Sequence, residues 1–278
     1  MSATADWSAA FASAGFDTMV VYNEILVPRL FAPWAEVLLD EVGVAPGASV
    51  LDVGCGPGTV ARRAATRVGP SGRVTGCDVS PAMLAVATAN RPLDGAADIT
   101  YLQCPADHLA VADGAFEVVV CQQALQFFPD RAAALAEMRR ALPAGGRAGV
   151  SVWCPIEESP PFEAMASGLG KILGRETEAA YRGGPWGLTD PDELGGLLAD
   201  AGFSDVRVTR HILPVEFDGG PAQMAASLAV ASVGPQVAAL DEQGRARLVD
   251  AIGAALGPSP HPGRVRSETA TWIARATR

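Results

Sequence analysis

Between residues 50 and 61 the chain reads VLDVGCGPGTVA: an apolar run holding one acidic residue, three glycines at alternate positions, then a helix-like segment. Few folds accept that string. The run before the glycines is a strand, the segment after them a helix, and Gly54, Gly56 and Gly58 form the turn, because glycine tolerates positive φ and lets backbone approach a ligand closely. A helix starting there aims its unpaired N–H groups and positive dipole end at whatever sits over the turn. A dinucleotide turn wants G-x-G-x-x-G. Here the third glycine comes one residue early and Thr59 stands in its place, which disfavours a nicotinamide cofactor.

From residue 49 onward, short apolar runs alternate with helical segments, the pattern of βαβ units. SVLDVG (49–54), RVTGCD (73–78), ITYLQC (99–104), FEVVVCQ (116–122) and RAGVSVWC (147–154) read as strands one to five. FSDVRVTRHILPV (203–215) reads as the sixth, and VRSETATWIA (265–274) as the last. Helices are expected after Gly58, from Ser80-Pro81, from Arg131 and from Asp190-Pro191, where Ser or Asp suits the N-cap and Pro the first turn. The expected fold is α/β, a doubly wound and mostly parallel seven-stranded sheet with helical cap insertions. One domain is expected, its core at about 36–154, 189–217 and 263–278, with cap segments 1–35, 155–188 and 218–262. In such a sheet, ligands bind outside the carboxyl ends of the strands at the switch point.

Composition removes several function classes. Lys and Arg total 21 against 31 Asp and Glu, a net charge of −10, so neither a nucleic acid nor an anionic membrane surface is an expected partner. Hydrophobic residues make up 49% of the 278, enough for a large core. The start, MSATADWSAAFASAGF, has no cationic region before an apolar run, and the charge-free stretch 219–240 carries two Pro and several Gly; neither a secretory signal nor a membrane helix is expected, and the location is read as cytoplasmic. That stretch suits a cap or a subunit contact, so a homo-oligomer is compatible with it. The five cysteines, Cys55, Cys77, Cys104, Cys121 and Cys154, form no CxxC pair and fall at or beside the ends of strands one to five. They read as reduced, space-filling thiols with no metal site.

With its strand, acidic residue and alternate glycines, Asp52-Val53-Gly54-Cys55-Gly56-Pro57-Gly58 resembles the opening motif of the class I S-adenosylmethionine-dependent methyltransferases. VPRLFAPWAEVLL (27–39), CQQALQFFPDRAAALAEM (121–138) and LPAGGRAGVSVW (142–153) are similar to its small-molecule branch, which includes quinone-biosynthesis and actinobacterial natural-product enzymes. The resemblance implies S-adenosyl-L-methionine as cofactor. It implies that Asp78 takes both ribose hydroxyls, that Val79 and Met83 flank the adenine, and that Ala106 and Asp107 read its edge. It implies that Gln122 closes over the methionine moiety, with Tyr22, Asp52 and the loop residues Gly54, Cys55, Gly56 and Gly58 completing the cofactor set. The chain departs from the family at Glu117, usually Asp, and Ala110, usually Pro.

The reaction implied is in-line methyl transfer to a small metabolite, which needs alignment and exclusion of water more than a catalytic side chain. None of His108, His211 and His261 is assigned as a base. Cys121-Gln122-Gln123-Ala124 stands where nucleobase and amide methyltransferases carry Asn/Asp-Pro-Pro-Tyr, which disfavours that class. Trp7, Phe11, Tyr22, Phe127, Phe128, Trp153, Phe162, Trp186 and Met224 fall in or beside the cap segments, in keeping with an apolar or aromatic acceptor, or with a core belonging to the cap itself. A second reading stays open from residues alone: a protein of this fold that binds the cofactor without moving its methyl, as a pericyclase-like pocket or binding module.

Overall fold

The computed structural model describes residues 15–90, 94–258 and 263–278. Trp7, Phe11 and His261 lie outside them. In chain order the elements are α1 (Phe16–Leu26), a π-helical turn (Val27–Phe31), α2 (Ala32–Val42), β1 (Ser49–Val53), α3 (Thr59–Val68), β2 (Arg73–Asp78), α4 (Pro81–Ala89), β3 (Ile99–Gln103), β4 (Val118–Gln122) and α5 (Arg131–Ala141). There follow β5 (Arg147–Trp153), α6 (Pro160–Leu173), α7 (Arg175–Gly183), α8 (Pro191–Asp200), β6 (Ser204–Phe217), α9 (Gly220–Ser227), α10 (Gly234–Ala238), α11 (Glu242–Leu256) and β7 (Val265–Thr277).

Helix starts follow local chemistry. Ser80 accepts from Met83 N–H, Asp130 from Ala133 N–H at 2.8 Å, and Asp190 from Asp192 N–H at 2.8 Å, with Pro81 and Pro191 in the first turn. The α3 start differs. Gly58 caps it without a side chain, at φ 76°, and a Cβ there would run into the Tyr101 hydroxyl.

The seven strands form one sheet in the order β3-β2-β1-β4-β5-β7-β6. Order reverses between β1 and β4, which makes that edge the switch point. β3, β2, β1, β4 and β5 pair in parallel, with Asp52 opposite Gly76 and Val120, and Asp78 opposite Gln103. The expectation of a mostly parallel sheet is corrected: the sheet is mixed. Arg278 N–H donates to Gly146 O and Cys154 N–H to Ala270 O, so partner numbers fall along β7 as they rise along β5. Ser204 and Thr209 hydroxyls donate to Thr277 O and Ile273 O, the same reversal between β6 and β7. Apolar runs report burial, not strand direction, so sequence patterning missed this.

The chain divides into two compact units. The first comprises the described residues up to Val152 with Leu188–Arg210 and Trp272–Arg278; the second comprises Trp153–Gly187 and the described residues of His211–Thr271. In the first, successive strand residues take opposite faces. Leu51, Val53, Val119 and Cys121 join Leu135, Met138, Leu194 and Leu198 from α5 and α8. Val50, Val74, Val118 and Val120 join Leu38, Leu39, Ala61, Ala64 and Val68 from α2 and α3.

In the second unit, Arg182 of α7 holds Glu163 of α6 through two hydrogen bonds of 2.7 and 2.6 Å and Glu178 through a third of 3.0 Å. Trp153, Phe162, Trp186 and Tyr181 pack as a chain of tilted rings with centroids 5.2 to 5.7 Å apart. A Cβ on Gly168 would meet the Ile252 side chain at 2.7 Å, so α6 and α11 approach closely there.

Leu135→Ala, at a fully buried position, should cost about 2–5 kcal/mol. Ile212→Ala, at a position 45% exposed on β6, should change stability by less than about 0.5 kcal/mol. Urea unfolding of both variants checks the pair, and equal losses would contradict the core as described.

Candidate functional site

A cavity of about 210 Å³ opens in the first unit, at the carboxyl ends of β1, β2 and β4, the edge where ligands settle in doubly wound sheets. The glycine loop forms one wall. Gly54 and Cys55 N–H groups both donate to Cys77 O, at 2.8 and 2.9 Å, which locks the loop onto β2. Gly54 has φ 70°, and a Cβ there would sit 2.6 Å from the Ala124 Cβ, so a larger residue would push β1 and the segment after β4 apart.

Two carboxylates end up against that loop. Asp52 is buried: Oδ2 accepts from Ala61 N–H at 2.9 Å, and Oδ1 has no partner. Asp78 is half-buried, and accepts from Gly56 N–H at 2.8 Å on Oδ2 and from Ser80 N–H at 2.9 Å on Oδ1. A carboxylate offers about four acceptor positions, so Asp78 keeps capacity for a further donor. Burial pushes the Asp52 carboxyl up to about 7, with the Ala61 N–H opposing and the Asp78 charge adding to the rise. Burial raises Asp78 as well, against hydrogen bonds from Ser80, Gly56 and Val79.

Opposite the carboxylates the wall is apolar. Tyr22 stacks on Phe31 with centroids 5.4 Å apart, and Val27, Val79, Met83, Phe127 and Phe128 continue the surface. Burial, and the Asp78 charge after it, hold the Tyr22 hydroxyl protonated. Gln122, at the end of β4, donates from Nε2 to Phe31 O at 2.8 Å, fixing the π-helical turn to the sheet; its Oε1 is buried without a partner. Besides Asp52 and Asp78, Asp107 and Asp130 line the cavity, and among the described lining residues there is no Lys, Arg or His.

Of the twelve residues expected to bind a cofactor, Tyr22, Asp52, Gly54, Cys55, Gly56, Asp78, Val79, Met83, Ala106, Asp107 and Gln122 line this one cavity. Gly58 does not; its place is against Tyr101 and Ala87. Asp107 is exposed and Ala106 half-buried. Sequence reading missed Val27, Phe31, Thr59 and Gln123. Pro28 within an apolar helix was the available sign for the first two, since a proline there invites the irregular turn. Gln123 has φ 51°, uncommon for a side-chain-bearing residue, and its sequence gives no warning of it. Of the aromatic candidates, Phe127 and Phe128 join Tyr22 at the cavity, whereas Trp153, Phe162 and Trp186 belong to the ring cluster of the second unit and Met224 is buried there. His108 and His211 do not line the cavity.

Folded Asp52 keeps its proton to about pH 7, whereas an unfolded Asp releases it near 3.9. The folded state therefore binds more protons between those values, so the Asp52 contribution to stability is full below about pH 4 and lost as pH rises to about 7. Asp52→Asn should remove that loss: its unfolding free energy relative to wild type should rise by more than about 1 kcal/mol from pH 4.5 to pH 8 in urea titrations. A difference that does not change with pH would contradict the buried, unpaired carboxylate.

Residues 50–146 match the family described as "Methyltransferase domain". The chain is 30% identical over 203 residues to nocamycin O-methyltransferase of Saccharothrix syringae, covering 69% of this chain and 72% of that protein. It is 32% identical over 143 residues to the ubiquinone/menaquinone biosynthesis C-methyltransferase UbiE of Cupriavidus pinatubonensis, covering 50% of this chain and 58% of that one, so it spans under two thirds of that relative's length. The fold is similar to Haemonchus contortus phosphoethanolamine N-methyltransferase 2 in complex with S-adenosyl-L-methionine, with a TM-score of 0.61, 18% identity, and coverage of 95% of this chain and 57% of that one. This chain belongs to the S-adenosylmethionine-dependent methyltransferases.

Proposed function

We propose that the cavity holds S-adenosylmethionine and that the enzyme moves its methyl group to a small, neutral, apolar or aromatic metabolite. One observation supports this most: four carboxylates and an aromatic wall share a cavity whose described lining contains no cation. The methyl donor is itself a cation with a flat ring, a diol and an amino-acid end. The orphaned buried atoms fit it too. Asp52 Oδ1, Thr59 Oγ1 and Gln122 Oε1 have no partner, and all three residues line the cavity. Buried polar atoms left in that state cost about 1–3 kcal/mol each unless a ligand or water meets them.

In this reading Asp78 receives the ribose hydroxyls. Val79 and Met83 flank the adenine, and Ala106 and Asp107 meet its edge. Asp52, Gly54, Cys55 and Gly56 line the amino-acid end, with Gln122 and Tyr22 closing that side; Gly58 acts by packing α3 against Tyr101. Bound, the donor supplies an electrophilic methyl whose leaving group is a neutral thioether. What remains for the protein is to orient the acceptor and keep water out, which the Phe31, Phe127 and Phe128 wall does. The whole chain works as one methyltransferase domain, with residues 1–35, 155–188 and 218–262 as additions to its core. It acts on a free metabolite in the cytoplasm, without nucleic acid and off the membrane. Among the described residues no helix is long and apolar enough to cross one.

Calorimetry with S-adenosylhomocysteine tests the site. Asp78→Ala should weaken binding by about 1.5–3 kcal/mol, the loss of hydrogen bonds to a charged group, while the folded fraction stays unchanged. Equal affinity in wild type and variant would overturn the assignment of Asp78. Incubation with S-adenosylmethionine and a panel of phenols, hydroxyquinones and enols should release S-adenosylhomocysteine with at least one of them. Binding without release across the panel would favour a cofactor-binding protein that transfers nothing.

A further inference from the structure

Ala106 and Asp107, which line the cavity, lie on a stretch of chain that belongs to no helix or strand: β3 ends at Gln103 and β4 begins at Val118. Such a segment has no ladder of its own to fix it, and a ligand that had to order it on binding would lose affinity. What fixes it here comes largely from another element.

Some of the bonding is local: His108 N–H donates to Pro105 O at 3.2 Å and Val111 N–H to Leu109 O at 2.8 Å. The rest comes from α5. Glu137 and Arg140 stand three residues apart on one face of that helix. Arg140 donates to both oxygens of Glu137, from Nε to Oε1 at 2.7 Å and from Nη2 to Oε2 at 2.8 Å. Joined in this way, the two side chains grip the segment. Glu137 Oε2 accepts from Leu109 N–H at 2.9 Å, Arg140 Nη2 donates to Leu109 O at 3.0 Å, and Arg140 Nη1 donates to Val111 O at 2.8 Å. Leu109 thus has both its N–H and its C=O paired by side chains, as a neighbouring strand would pair them. Its own side chain is buried in one apolar cluster with Leu135 and Met138 of the same helix. The Arg140 hydrogen bonds, aided by the Leu109 N–H, hold the Glu137 carboxyl below the usual carboxylate range, so both its oxygens accept at neutral pH. Asp113 also meets Arg140, but its side chain is 79% exposed, where an ion pair contributes little.

We propose that Glu137 and Arg140 are positioning residues for cofactor recognition: by holding Leu109 and Val111 they fix Ala106 and Asp107 against the adenine edge, and so set the discrimination between adenine and a 6-oxopurine. Neither residue lines the cavity, so the pair acts through the segment and not by contact. The discrimination rests on the cofactor reading above; the grip on Leu109 does not. Adenine presents an exocyclic N–H donor beside a ring-nitrogen acceptor. Hypoxanthine presents an oxygen acceptor and a ring N–H donor in the same two places. The Asp107 carboxylate and the Ala106 N–H suit the first edge, and the second sets acceptor against acceptor and donor against donor. A fixed segment enforces that mismatch, whereas a released one can turn away from it.

The test is calorimetry with S-adenosylhomocysteine and S-inosylhomocysteine, beside amide hydrogen exchange of residues 105–113. The wild type should prefer the adenine ligand by at least about a hundredfold. Glu137→Ala and Arg140→Ala should each weaken S-adenosylhomocysteine at least about tenfold and S-inosylhomocysteine by less than about threefold, the loss of one well-placed hydrogen bond at the adenine edge. Residues 105–113 should exchange faster in both. Glu137→Gln keeps an acceptor for Leu109 N–H and should restore most of the preference. If an alanine variant does not fold, Arg140→Lys, which keeps the charge without the planar fork, should still narrow the preference. In an Asp107→Ala background, Glu137→Ala should narrow it no further. Equal weakening of both ligands would reduce the pair to a support of the fold and overturn the proposal. Unchanged exchange of residues 105–113 would overturn the grip. A wild type that binds neither ligand, or both equally, would contradict the adenine-edge reading itself, while the exchange would still decide the grip.

Discussion

Asp52 and Asp78 stand at the ends of neighbouring parallel strands, close enough that the Asp78 charge raises the cost of ionising Asp52, and among the described residues lining the cavity there is no cation. Backbone N–H groups hydrogen-bond them, Ala61 to Asp52 and Gly56 and Ser80 to Asp78, and the Arg62 charge also favours the ionised form of Asp52. Much of the first unit serves this arrangement. The glycine loop must bend so that Gly56 N–H meets Asp78, α3 must start where Ala61 N–H meets Asp52, and the buried strands must keep both carboxylates at one edge. An apolar core on each face of the sheet sustains a site that is electrostatically costly when empty, as functional sites commonly are.

In the proposed reading those carboxylates also select the ligand. A cavity walled by aromatic side chains and Asp, without Lys, Arg or His among its described lining residues, favours a cation with flat apolar surface and disfavours an anionic acceptor. The same cavity holds three thiols at the strand ends. Cys77 and Cys104 are small residues, and bulkier side chains in their places would take up space in that cavity.

Much of this was legible in the sequence, for identifiable reasons. Strands buried on both faces write themselves as unbroken apolar runs, as Val118–Gln122 does, and the loop spacing carried the turn. Eleven of the twelve expected site residues line one cavity, most of them because they stand at the end of a strand or beside it, with Tyr22 brought in by α1 and Met83 by α4. What stayed hidden depended on tertiary context. The antiparallel β7 and β6 read as ordinary strands. Residues 155–188 look broken by Pro160, Pro161, Gly168 and Gly170, yet the prolines stand in the first turn of α6, where their missing N–H is harmless, and Gly168 makes room for Ile252. Gly58 looks like a ligand-facing glycine and is one that yields space to Tyr101. Gln123 holds φ 51° with its N–H donating to Ser151 O at 2.9 Å, a conformation its residue type does not announce.

The measurement that bears most directly on the central claim is a crystal structure with S-adenosylhomocysteine bound. The account predicts both ribose hydroxyls donating to Asp78, the adenine between Val79, Met83 and Ala106, and the amino-acid end over Asp52 and the glycine loop. A ligand whose ribose leaves Asp78 untouched, or one seated outside this cavity, would contradict it.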